Sequence, residues 1–207
     1  MSAATTTIDR AEAKRASRLW AIWILPCLGV AGYAIVRCFL IPFSDDHFAP
    51  RLTVLQVHAG AGAVALLTGP WQFWTWLRKA HAAWHRWLGR AYLAAIAVSS
   101  AAGMILAAYS KEGWATHLGF GLLAVAWFWT AAMGYRTARA RQFRVHREWM
   151  VRSFALSLAA VTLRNELPLL LFAAQWSFHA AFIAVSWLCW VPNLIFAEWW
   201  LRRPARP

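Results

Sequence analysis

The chain has 207 residues, of which 61% are hydrophobic and 14% are charged. Soluble domains are about 45–50% apolar and about 25% charged, so this composition excludes an ordinary soluble domain and a disordered chain. The formal net charge is +13, and its meaning depends on where the basic residues lie.

Six apolar runs follow one another, and each is long enough for a helix to cross the ~30 Å hydrocarbon core of a bilayer. They are helix 1 (Leu19–Ile41), helix 2 (Leu52–Pro70), helix 3 (Trp87–Tyr109), helix 4 (Trp114–Tyr135), helix 5 (Trp149–Ala173) and helix 6 (Trp176–Leu201). The connections are short, which favours antiparallel neighbours in one bundle. The sequence therefore predicts an all-α, polytopic membrane protein: a six-helix transmembrane domain at 19–201 between basic tails at 1–18 and 202–207.

Most of the 21 lysines and arginines precede helix 1, follow helix 6, or connect helix 2 to helix 3 and helix 4 to helix 5. The loops on the other side carry only Arg51 and Lys111 among basic residues. The positive-inside rule then places both termini in the cytoplasm. The charge reflects topology and attraction to membrane lipid rather than binding to nucleic acid.

Four histidines occupy related positions. His58 and His117 lie near the outer ends of helices 2 and 4, whereas His85 and His146 lie at the inner starts of helices 3 and 5. The two pairs have nearly equal separations, so helices 2–3 and 4–5 look like two copies of one hairpin within a four-helix core. Imidazole is the usual axial ligand of haem iron. The pattern predicts an outer haem b on the first pair and leaves a second, inner haem open.

Glycines accompany three of these histidines. Gly62, Gly89 and Gly121 each lie four residues after a histidine, on the same helix face, whereas His146 is followed by Met150 at that spacing. A flat macrocycle needs such a bare patch of backbone. The alternatives are that small residues serve close helix packing, and that the inner histidines contact lipid phosphates at helix N-termini.

Two arginines inside the predicted spans are further candidates. Arg164, in the outer third of helix 5, could pair with a haem propionate or a quinone-like headgroup, or with an acidic side chain of the bundle. Glu166 is a poor partner for it because residues two apart do not share a helix face. Arg152 could serve inner propionates or extend to the membrane surface. Pro168 removes a backbone donor and predicts a kink in helix 5.

Several strings carry a resemblance to a known family. They are His58–Gly62, Ala65–Phe73, His85–Tyr92, His146–Arg152 and Val161–Arg164. Together they resemble a bacterial family of predicted membrane proteins, domain of unknown function 2306, over roughly Leu52 to Arg164. The resemblance implies a multi-pass protein of the inner membrane and supplies no activity.

The arrangement is more distantly similar to cytochrome b561-type di-haem electron carriers. That resemblance implies six helices, with one haem between helices 2 and 4 and another between helices 3 and 5. On this pattern His58 and His117 match the outer ligands, and His85 and His146 match the inner ones. It implies no particular electron donor.

The first functional hypothesis is therefore a b-type cytochrome that exchanges electrons with a quinone or another redox partner. A haem-free transporter or proton or small-molecule channel, and an accessory membrane subunit, are the alternatives. No nucleophile–base pair, phosphate loop or carboxylate dyad is present, which argues against a hydrolase or transferase. Whether the chain forms a homodimer stays open.

Overall fold

A computed structural model describes residues 24–41 and 51–203. The predicted tail at 1–18, the first residues of helix 1 and residues 204–207 lie outside the described part. Within it, all regular structure is helical. The main helices are α1 (Ile24–Leu40), α2 (Leu52–Phe73), α3 (Ala82–Ala108), α4 (Trp114–Arg139), α5 (Phe143–Ala173) and α6 (Phe178–Arg202). The last five are long and apolar enough to cross a membrane, so the predicted helical membrane bundle is confirmed.

The predicted helix starts are wrong in three places. α3 begins at Ala82 rather than Trp87, α5 at Phe143 rather than Trp149, and α6 at Phe178 rather than Trp176. The first turns of α3 and α5 are rich in charged and polar side chains, which hydropathy assigns to loops although the helix continues beyond the hydrocarbon core. A short helix, Thr75–Ala80, joins α2 to α3.

The two predicted hairpins are visible in the packing. α2 lies mainly against α3 and α4 mainly against α5, while α3 and α4 join the hairpins. α6 contacts α4 with its first half and α5 with its second half. One end of the bundle carries Arg78, Arg139 and Arg144; we name this the basic end, and the end with Lys111 and Gln175 the far end.

The centre of the bundle is a close-packed apolar core. Tyr92, Ile96 and Val185 are fully buried within it, and Leu156 is almost so. The described cysteines are buried too, as their apolar surroundings predict; they are Cys27, Cys38 and Cys189.

α5 and α6 are interrupted halfway along. α5 breaks at Leu158 and widens into a π-helix over Leu169–Ala173, directly after Pro168. α6 divides at Cys189 and Trp190, just before a proline. Proline has no N–H to donate to the preceding turn, which accounts for the changes beside the two prolines. Cys189, at the break in α6, lines the cavity described next.

Candidate functional site

A cavity of about 630 Å³ is lined by α2, α3, α4, α5 and α6 and reaches from the far end into the core. Its rim includes Arg51, Tyr109 and Lys111, and its floor includes Trp127 and Ser157. Small-molecule sites in proteins are typically about 300–1,000 Å³ and mainly apolar with a few polar groups. The cavity has the size and the lining of such a site.

His58 lines this cavity in a fixed orientation. Its Nδ1 donates a hydrogen bond to the Ser99 carbonyl oxygen at 2.9 Å, and the Ser99 hydroxyl donates to the His58 carbonyl oxygen at 2.9 Å. A carbonyl oxygen can only accept, so the proton of the neutral ring is on Nδ1 and Nε2 has a free lone pair. Metal-ligating histidines are held in this way, by a hydrogen bond from the nitrogen that does not bind the metal.

The His58 ring packs against a glycine that the sequence did not single out. A Cβ atom at Gly103 would lie 3.1 Å from ring atoms Cε1 and Nδ1 of His58. Gly62 also lines the cavity, but a Cβ there would meet the Ser99 hydroxyl at 3.4 Å. The bare backbone that admits the imidazole therefore belongs to α3.

Arg164 reaches the same cavity from α5. Its Nη1 donates to the Ala160 carbonyl oxygen at 2.9 Å, and the guanidinium lies 5.5 Å from the centre of the Tyr33 ring. Among the described residues, its buried Nε has no hydrogen-bond partner, and neither has the buried hydroxyl of Ser100, which also lines the cavity. Within residues 24–41 and 51–203, no carboxylate forms an ion pair with Arg164. Unsatisfied buried polar groups are uncommon and call for a ligand or water as partner.

The other outer candidates lie beside the cavity rather than on it. His117 does not line it, and its Nε2 donates to the Ser110 carbonyl oxygen at 2.7 Å. As in His58, the other ring nitrogen then has a free lone pair, but it belongs to a side chain outside the cavity lining. A Cβ at Gly121 would face Met104 Sδ at 3.8 Å. Of the predicted outer residues, the structure thus brings together His58, Gly62 and Arg164.

The floor of the cavity rests on a buried hydroxyl network. Tyr92 Oη lies 3.1 Å from Ser153 Oγ and 2.9 Å from Ser157 Oγ, and Trp127 Nε1 donates to Ser157 Oγ at 2.9 Å. These residues come from α3, α4 and α5, so the network ties the two hairpins together in the middle of the bundle. Sequence reasoning missed it because a single tyrosine or serine in an apolar helix gives no signal of its partner.

The inner histidines are hydrogen-bonded to the protein at the basic end. His146 Nδ1 donates to the Gly134 carbonyl oxygen at 2.8 Å. With its amide oriented to satisfy both partners, Gln72 donates to His85 Nδ1 at 3.1 Å and accepts from the Gly89 N–H at 3.2 Å. Gly89 thus packs against the Gln72 side chain, where a Cβ would lie 3.1 Å from it.

Arginines surround this inner pair. His85 lies close enough to His146, Arg78 and Arg86 to interact with them electrostatically. In the short helix outside the spans, burial and the nearby Arg147 hold the pKa of the Arg78 guanidinium below its usual value. This cationic surface is suited to anionic lipid headgroups, which was the alternative interpretation of the inner histidines.

Arg152 is engaged by an acidic side chain of α6. Its Nε and Nη2 donate to the two carboxylate oxygens of Glu198 at 2.5 and 3.2 Å. Such a bidentate pair is among the stronger hydrogen-bonded contacts in proteins. Arg152 therefore joins α5 to α6 and is not aimed at the cavity that His58 lines.

No group of three or more histidine, cysteine, aspartate or glutamate side chains that could hold a metal ion occurs within the described residues. A haem iron takes only one or two protein ligands, so a single histidine suffices to hold one.

Comparison with known proteins gives one family. The model of a family described as "Predicted membrane protein (DUF2306)" matches residues 55–201, which include all five long helices almost completely. No curated protein and no solved structure matches the chain.

Proposed function

The chain belongs to this family of predicted membrane proteins, and we propose that it binds haem b in the cavity that His58 lines and carries electrons within the membrane. The observation that supports this most directly is the state of His58. Its Nδ1–H is fixed by the Ser99 carbonyl oxygen, and its free nitrogen belongs to a side chain that lines the cavity. That is the arrangement an axial histidine needs.

The other lining groups suit the rest of the molecule. A porphyrin is a flat apolar body with two carboxylates, and the cavity combines apolar walls with the unpaired Nε of Arg164 and the unpaired hydroxyl of Ser100. Arg164 would hold a propionate, and the apolar walls would keep water from the iron. Bound haem supplies a one-electron redox couple whose potential depends on ligation, burial and nearby charge.

The proposal is limited to this outer site. His85 and His146 do not line the cavity; they lie at the basic end, where Gln72 and the Gly134 carbonyl oxygen contact their Nδ1 atoms. Since the rim of the cavity lies at the far end, a quinone or another redox partner would approach from that end.

The experiment is a visible spectrum of detergent-purified protein from cells with ample haem. We expect a red preparation, whose reduced-minus-oxidised spectrum His58→Ala abolishes. His117→Ala is the matched control, because the same side chain is removed at the same end of the bundle but outside the cavity lining; it should retain the colour. A colourless, folded wild-type preparation would refute haem binding, and loss of colour in both variants would refute ligation by His58 alone.

A second candidate is a haem-free transporter or channel for small amphipathic anions, or a proton pathway. Arg164 favours it, since a membrane-embedded cation without an acidic partner commonly marks a substrate path. In that case a colourless preparation should gain thermal stability from an added amphipathic carboxylate, and Arg164→Met should abolish the gain. A preparation that binds neither haem nor the carboxylate would favour the hypothesis of an accessory membrane subunit.

A further inference from the structure

A second cavity, of about 610 Å³, lies toward the basic end between α4, α5 and α6. It shares no lining residue with the first cavity, so it is independent of the proposed function. α6 contacts α4 mainly with its first half. Its second half lies against α5, which leaves a cleft between α4 and α6 in this half of the bundle.

The lining changes from apolar to charged along the helix axes. On α6, Leu194, Glu198 and Arg202 follow one another at four-residue spacing, about 6 Å per step. Ala126 and Trp129 of α4 add apolar surface. A phospholipid has the same gradient, with acyl chains in the hydrocarbon core and a charged headgroup at the interface. The shape of the lining thus points to a lipid molecule.

The charged part of the cavity is electrically balanced. Its lining contains two acidic and two basic side chains: Glu148, Glu198, Arg152 and Arg202. The surrounding end of the bundle is strongly cationic, as the arginines near His85 illustrate. An anionic headgroup would meet two carboxylates in this cavity, so a zwitterionic headgroup suits it better.

The ion pairs show which groups are available to a ligand. Arg152 and Glu198 occupy each other in the bidentate pair. Arg202 approaches Glu198 only to 3.7 Å and its side chain is 80% exposed. In the described part of the chain, the one ion pair of Glu148 is with Arg144, at 3.4 Å, and the Arg144 side chain is 92% exposed. Exposed pairs of this kind contribute little energy and exchange readily. Glu148 is thus available to a cation and Arg202 to an anion.

A primary ammonium fits better than a quaternary one. An ammonium donates up to three hydrogen bonds to a carboxylate, whereas choline relies on a cage of aromatic faces. Trp149 lines the cavity, but its ring is already approached by the guanidinium of Arg152 at 5.0 Å. Trp129 therefore has no second free aromatic ring beside it with which to form a cage for choline.

We propose that this cavity binds a phospholipid with a phosphoethanolamine headgroup, its ammonium on Glu148 and its phosphate on Arg202. The test is native mass spectrometry of the purified full chain with dioleoyl lipids bearing ethanolamine, glycerol or choline phosphate headgroups. The ethanolamine lipid should be retained at least several-fold more than the other two, and Glu148→Gln should reduce its retention to their level.

Two further variants complete the test. Glu112→Gln, the same change at the far end of the bundle, should leave the preference intact, while Arg202→Gln should weaken retention of the ethanolamine lipid. Glu148→Gln preserves side-chain shape, and its thermal unfolding will show whether the variant is folded. Any of three results would overturn the proposal. The three lipids could be retained equally, the glycerol or choline headgroup could be preferred, or Glu148→Gln could leave binding of the ethanolamine lipid unchanged.

Discussion

The two halves of the bundle differ in whether their buried polar side chains have partners. In the half toward the basic end, the charged side chains inside the bundle are paired, as Arg152 is with Glu198. In the half toward the far end, the Arg164 Nε and the Ser100 hydroxyl are buried without a hydrogen-bond partner among the described residues, and both residues line one cavity. A membrane protein tolerates unpaired polar groups where a ligand or substrate completes them. The paired groups therefore stabilise the bundle, whereas the unpaired groups are available to bind a ligand.

The comparison depends first on which end faces the cytoplasm. The positive-inside rule places the basic end inside, so a reporter that is active only outside the cytoplasm should be active when fused after Lys111 or Gln175 and inactive after Lys79 or Arg141. The expected effect is all or none. Activity after Arg141 would invert the orientation and place the cavity mouth in the cytoplasm.

The second prediction compares two arginines of α5. Arg152→Met should destabilise the protein by about 2 kcal/mol, because it breaks two charged hydrogen bonds and leaves Glu198 without its main partner. Arg164→Met should cost little or stabilise, since its guanidinium is incompletely paired in the described structure. Thermal unfolding of both variants, purified without added ligand, measures the difference.

Equal destabilisation by the two substitutions would contradict this division. Arg164 would then be a structural residue and would no longer indicate a charged ligand in the far half of the bundle.

The third prediction compares two hydroxyl groups. Tyr92→Phe should destabilise by about 1 kcal/mol, a usual value for hydrogen bonds between membrane helices, because the hydroxyl bridges Ser153 and Ser157. Ser100→Ala should be neutral in the ligand-free protein, since the Ser100 hydroxyl has no hydrogen-bond partner within residues 24–41 and 51–203. Thermal unfolding checks both, and a large loss with Ser100→Ala would show that the hydroxyl has a structural partner.

Six helices were predicted, and the described residues contain five of membrane-spanning length, in the predicted order, and the shorter α1. The five could be predicted because hydrocarbon thickness dictates the length of each apolar run. The starts of α3 and α5 could not, because helices continue into the headgroup layer with polar side chains. The interruption at Leu158 also gave no signal, unlike the one after Pro168.

The site was predictable only in part. His58 and Arg164 were found because an ionisable side chain in an apolar run is unusual by itself. Ser99 and Gly103 were missed, since small residues are common in membrane helices and their role depends on what lies opposite. One signal existed: Tyr92, Ser99 and Gly103 recur at helical spacing, seven and four residues apart, which places them on one face of α3. The partner of Arg152 could not be assigned before the register of α5 against α6 was known.

The last prediction compares two glycines, one of them from the predicted histidine–glycine pattern and one revealed by the structure. Gly103→Ala would place a Cβ 3.1 Å from the His58 ring, a distance at which the ring must shift. Gly121→Ala would place a Cβ 3.8 Å from Met104 Sδ, an ordinary contact. Overpacking of this kind costs about 1–3 kcal/mol, so Gly103→Ala should weaken haem binding roughly tenfold.

Haem titration of the two ligand-free variants, followed by visible absorption, gives the answer, with thermal unfolding as a check that both are folded. Gly121→Ala should bind as the wild type does. In the opposite result, Gly121→Ala would abolish haem binding and Gly103→Ala would leave it unchanged. That result would place the macrocycle against α4 and make His117 its ligand. The same small substitution on two helices thus decides which histidine of the outer pair faces the bound molecule.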